Sequence, residues 1–130
     1  MIKLNQISKS IFKTKLFRNK KSTKWFIWYV QNKIDGIHFY SLEKDNLHFG
    51  VCFFIFQNYN TEIGILINNE YQNKGFGTAL INQLLLNSKK PIIFKVSINN
   101  TISSKFLMKF VNKGVLSFQK DKTNLVFKSI

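Results

Sequence analysis

The chain has 130 residues, 45% of them hydrophobic and 14 of them phenylalanine, enough to bury about two thirds of its unfolded surface around one core. Its formal charge is +14, from 20 basic and 6 acidic residues, which favours polyanionic ligands and excludes a chain of the acidic, disordered class. The single cysteine excludes an intrachain disulfide framework, and together with only two histidines it excludes ordinary zinc fingers and leaves no metal site expected.

In chain order, residues 1–7 read as a short strand, and 11–17 and 22–32 as two helices separated by the basic Arg18-Asn19-Lys20-Lys21, with Ser22 as an N-cap. Residues 38–42 and 47–57 form an expected hairpin around Glu43-Lys44-Asp45-Asn46. Asn58-Tyr59-Asn60 then turns the chain into a strand at 61–67. Residues 51–56 are apolar without alternation, as in a central strand covered on both faces, so helices are expected to flank the sheet. Cys52 lies inside that run and is expected to pack rather than react.

From Gly75 to Asn87 the residues Phe76, Ala79, Leu80, Ile81, Leu84 and Leu85 recur at helical spacing. The sole proline, Pro91, suits the entrance of a strand running to 97. A helix follows over 102–112 and is ended by Gly114 as a left-handed residue. Residues 115–119 and 125–128 close the chain as a hairpin. Neither a repeat nor a flexible linker is visible, so one domain over 1–130 is expected. The longest apolar runs, 25–30 and 51–56, fall far short of the ~20 residues that span a bilayer. No signal-peptide layout opens the chain, and a cytoplasmic protein is expected.

The junction between the strand at 61–67 and the helix after Gly75 carries the chemistry. Gln72, Asn73, Lys74, Gly75, Phe76, Gly77 and Thr78 stand where a helix begins. There, backbone N–H groups without intrahelical partners and the positive end of the helix dipole suit a diphosphate. A dinucleotide fingerprint would need glycine at Leu80, and a P-loop would need Gly-Lys-Ser/Thr in that order, so neither of those cradles is present.

Gln-x-x-Gly-x-Gly after a strand resembles the acetyl-CoA-binding motif of the GNAT-type N-acetyltransferases. Downstream, Ile92 to Asn100, Thr101 to Phe110 and Gly114-Val115 resemble that family's next strand, its Asn-initiated helix and its close. The resemblance implies an α/β (α+β) fold with a central mixed, mostly antiparallel sheet flanked by helices. It also implies an acyltransferase that moves an acetyl group from acetyl-CoA to a primary amine. The pyrophosphate would rest on residues 72–78. Pantetheine would lie along the preceding strand, with a carbonyl-binding backbone N–H from Leu66 or Ile67 and Asn68 beside it. On the later helix either Asn100 or Ser103 would touch pantetheine, the spacing from Lys95-Val96 favouring Asn100.

Phe17-Arg18-Asn19, Trp25-Phe26 and Ile34 to His38 are similar to signposts of the branch that acetylates nucleotide-linked amino sugars or protein N-termini. That likeness makes Arg18 and His38 candidate acceptor ligands, while Glu62, which begins the strand leading into the cradle and is the only acid near the expected cleft besides Glu70, is the candidate general base, directly or through water. The chain departs from the family in having no tyrosine after Tyr71. Leu107 or Phe110, depending on alignment, stands where many members place an acid near the CoA sulfur, and Lys95 stands where some carry glutamate. A small-molecule amine is the first expected acceptor. A protein N-terminus or aminoacyl-tRNA, which the nine basic residues before Asp35 would suit, is the second, and a non-catalytic acyl-CoA-binding module is the third. The apolar stretch at 25–30 is either core or a homodimer interface.

Overall fold

The computed structural model describes residues 1–8 and 36–130. The helices expected at 11–17 and 22–32, Arg18, and the stretch at 25–30 lie outside the described residues. Seven strands, β1 (Lys3–Ile7), β2 (Ile37–Lys44), β3 (Leu47–Phe56), β4 (Thr61–Ile67), β5 (Ile92–Ser97), β6 (Leu116–Lys120) and β7 (Asn124–Ser129), form one sheet in the order β1-β2-β3-β4-β5-β7-β6. Two helices, α1 (Phe76–Asn87) and α2 (Thr101–Asn112), connect β4 to β5 and β5 to β6. Every pairing is antiparallel except β4 with β5, which gives the mixed, mostly antiparallel sheet expected.

The uninterrupted apolar run of β3 is explained by its two covered faces. Cys52 joins Ile63, Phe94 and Val96 in a core with Leu80, Ile81 and Leu84 of α1 and Leu107 and Phe110 of α2. Its neighbours Val51, Phe53 and Ile55 point the other way, into a second cluster with Phe39 and Leu66, as the two-residue period of a strand requires. The Cys52 thiol is fully buried, and burial pushes its pKa up, away from the thiolate that reactivity needs.

The first hairpin is tighter than its sequence suggests. β2 continues through Lys44, and the turn is the pair Asp45-Asn46, with φ of 52° and 63°, the left-handed pair that a two-residue hairpin turn demands and that Asp and Asn tolerate. The register then slips between Leu42, opposite Gly50, and Glu43, opposite His48, leaving Phe49 as an extra residue in β3. That bulge joins the sheet to the β4–α1 loop. The Phe49 carbonyl accepts the Asn68 N–H at 2.8 Å, and the Phe49 ring stacks on Phe76 with centroids 4.5 Å apart.

Helix ends follow their caps. The Asn100 side chain accepts from the Ser103 N–H at 3.2 Å and starts α2 at Thr101. Gly114, at φ 79°, closes α2, with Gly114 N–H donating to Val111 O and Val115 N–H to Phe110 O, the paired bonds of a Schellman ending. Gln83 of α1 exchanges two hydrogen bonds with the Ile2 backbone, at 2.9 and 2.8 Å, which fixes the outer edge of the sheet to the helix.

Candidate active site

The β4–β5 junction is where the sheet opens. Parallel pairing is confined to Thr61 with Ile92 and Glu62 with Ile93, and the rest of β4 to Ile67 and of β5 to Ser97 is not laddered together. The Thr61 N–H donates to Pro91 O, whereas the Asn68 N–H donates to Phe49 of β3. Because N–H groups alternate sides along a strand, the Leu66 N–H is directed to β3 and the Ile67 N–H to the open β5 side. Of the two donors weighed for a carbonyl oxygen, Ile67 is the one on the open edge. Asn68, next along, is buried.

The open edge leads into the cradle. Gln72 donates from Nε2 to the Ile67 carbonyl at 3.0 Å and to Asn69 Oδ1 at 3.3 Å, fastening the loop to the end of β4. Asn73 and Gly75 take φ of 60° and 85°, turning the backbone into α1. The first intrahelical bond runs from Ala79 N–H to Gly75 O, and no side chain caps the helix. The Phe76, Gly77 and Thr78 N–H groups are therefore left outside the helical ladder at its positive end. Lys74 stands beside them, and Lys44, Asp45 and Leu47 of the first hairpin's tip complete a concavity around Gly75 and Phe76. These groups fit a pyrophosphate: clustered donors, the two lysines Lys44 and Lys74 beside the single acid Asp45, and a glycine entrance. Gly77 has a packing duty besides, since a Cβ there would meet the Phe106 ring of α2 at 3.1 Å.

At the closed end of the opening, Glu62 is buried, with its side chain 2% exposed, and its Oε1 lies 3.5 Å from the Nζ of Lys95 on β5. Glu62 sits opposite Ile55 in the register, on the face of the second apolar cluster. A carboxylate this deep needs a cation or hydrogen bonds to stay charged. Lys95, still about a third exposed, supplies the cation from the strand across the opening. Asp121, in the β6–β7 turn, is held below the usual carboxylate range by the backbone N–H groups of Asn124 and Thr123, with Lys95 adding a smaller pull.

A family model described as the acetyltransferase (GNAT) family matches residues 4–110. The chain belongs to the GNAT acetyltransferase family. Among solved structures, an acetyltransferase from Thermus thermophilus superposes with a TM-score of 0.73 at 10% identity, over 98% of this chain and 96% of that one. The N-acetyltransferase PseH of Campylobacter jejuni, in complex with acetyl coenzyme A, gives 0.64 at 15%, over 98% and 97%. A chimera of the spermidine N-acetyltransferase SpeG of Vibrio cholerae with hSSAT gives 0.65 at 16%, over 99% and 94%. At such identities the superpositions speak for the fold, which is that of the GNAT enzymes. No curated protein matches the chain in sequence. The protein is an acyltransferase that takes its acetyl group from acetyl-CoA and delivers it to an amine.

Within this GNAT frame the other expected site residues are distributed unevenly. His38 does not join Glu62. It lies opposite Phe54, on the far face of the sheet, with its ring edge-on to Phe56 at 5.1 Å. Asn100 and Ser103, the two alternatives for the pantetheine contact, belong to one capping turn, in which Asn100 Oδ1 is already engaged. Leu107 and Phe110, the two candidates for the missing tyrosine's position, are both buried in the core, so either alignment puts hydrocarbon there. Sequence reasoning did not find the Glu62–Lys95 pair. Its signal was an acid and a base on strands already expected to be consecutive across the helix.

Among the described residues no group of three or more His, Cys, Asp or Glu side chains is placed to hold a metal, and no helix is long and apolar enough to cross a membrane.

Proposed function

We propose that Glu62 is the general base of this GNAT enzyme and that the acceptor is the primary amine of an anionic small molecule, such as a nucleotide-linked amino sugar. The observation that carries the reading is the buried Glu62 carboxylate at the closed end of the β4–β5 opening, across from a lysine ammonium. Bound in the opening, acetyl-CoA supplies an activated thioester. The Phe76, Gly77 and Thr78 N–H groups and Lys74 hold its pyrophosphate, and the Ile67 N–H, on the open edge of β4, polarises the acetyl carbonyl. Asn68 and the α2 start at Asn100 and Ser103 border the pantetheine arm.

Glu62 takes a proton from the incoming ammonium, which reacts only as the free amine. No tyrosine follows Tyr71, so α2 offers no phenol to the departing thiolate, and in this reading water protonates it. Net charge favours the anionic carrier: a chain of +14 attracts a nucleotide-linked amine and repels a polycation such as spermidine, the substrate named for one structural relative. A panel of acceptors tests this directly. Nucleotide-linked amino sugars are expected to be acetylated with a KM that rises with salt, and spermidine poorly; preference for spermidine or for peptide N-termini would overturn the choice of acceptor.

A further inference from the structure

Any acceptor amine must come within hydrogen-bond reach of the base, directly or through one water. One amine of the chain already stands there. Lys95 Nζ lies 3.5 Å from Glu62 Oε1, on β5 two residues beyond Ile93, the last β5 residue laddered to β4, and so where the two strands begin to part. Its side chain is 31% exposed while that of Glu62 is 2% exposed, so the amine is the member of the pair that solvent reaches. We propose that Lys95 is an internal acetyl acceptor, and that this enzyme acetylates itself there. The inference rests on the reading of Glu62 as base.

The step balances without redox chemistry. Glu62 accepts a proton from the Lys95 ammonium, and the free amine attacks the thioester carbonyl. The amide C–N bond forms as the C–S bond breaks, and CoA departs as a thiolate. Of the two protons the ammonium loses, one passes through Glu62 to solvent and the other ends on the CoA thiol. Among the described residues Lys95 is the lysine whose amine lies against a buried carboxylate. The exposed Lys3, Lys89 and Lys105 are modified only by slow reaction in solution. Acetylation of Lys95 removes the cation that faces Glu62, so self-modification and turnover draw on the same carboxylate.

The test is incubation of the full chain with deuterated acetyl-CoA at neutral pH, followed by peptide mapping, with acetyl-CoA titration and transfer to an external amine measured in parallel. The heavy acetyl group is expected on Lys95 at least about tenfold faster than on Lys3, Lys89 or Lys105. It should slow by about a hundredfold in Glu62→Gln and be absent from the corresponding peptide of Lys95→Arg, which keeps the cation. Label spread evenly over the lysines, or unchanged in Glu62→Gln, would overturn it. The wild-type map decides even if a variant fails to fold. Acetyl-CoA binding and external transfer with Lys95 unmodified would sink this inference alone, whereas absence of acetyl-CoA binding would sink the active-site reading with it.

Discussion

Glu62 draws its chemistry from its place in the strand. One residue earlier, Thr61 is still tied to Pro91; five residues later, Ile67 turns its N–H to the open edge. The proposed base and the proposed carbonyl-binding donor thus lie on one strand at the two ends of the same gap. Gly75 is the other position where one residue decides. Nothing lies within 4 Å of the place its Cβ would occupy, so a side chain would meet no obstacle, but φ of 85° is left-handed backbone. We expect Gly75→Val to destabilise the fold by about 1–2 kcal/mol, read as a lower unfolding midpoint in urea. It should also weaken acetyl-CoA, because relaxing φ re-aims the Phe76 to Thr78 N–H groups. Unchanged affinity would mean that the phosphates rest elsewhere.

At the scale of elements, α2 is held by a cap at one end and a Schellman turn at the other, with Leu107 and Phe110 buried between. Asn100→Ala should cost about 1 kcal/mol through the lost bond to Ser103 N–H, measured by denaturant unfolding. A much larger loss of acetyl-CoA affinity than of stability would show Asn100 touching the ligand as well. What was legible in the sequence at this scale is what local physics governs: the apolar spacing of α1, the glycine at its entrance, the Asn100 cap and the Gly114 ending. What was not legible depends on register. Reading a four-residue turn at 43–46, where the chain makes a two-residue one and then bulges at Phe49, leaves the faces of β2 and β3 undetermined. His38 is an acceptor candidate by family likeness alone, and the register puts its side chain on the sheet face opposite that of Glu62. The bulge had a local signal in Gly50, a glycine inside a strand. The Glu62–Lys95 contact had none of that kind, since the strands that make it are separated by a whole helix.

At the scale of the molecule, the charge of +14 acts on a polyanionic ligand at a site already flanked by Lys44 and Lys74. Acetyl-CoA affinity should fall steadily between low and physiological salt, because exposed lysines are screened over about 10 Å at 0.1 M. Titration at several salt concentrations checks this, and a flat response would assign the affinity to the backbone cradle and apolar contacts alone. Of the 20 basic residues 19 are lysine, and among the described residues Lys95 is the one placed against Glu62.

The central claim is that a GNAT fold has placed its proton acceptor at Glu62, and single-turnover acetyl transfer by Glu62→Gln under saturating acetyl-CoA tests it most directly. Acetyl-CoA affinity should stay within about twofold of the parent while the transfer rate falls by about a hundredfold or more, as loss of a general base dictates. Transfer at the parent's rate by a variant that binds acetyl-CoA normally would contradict the assignment.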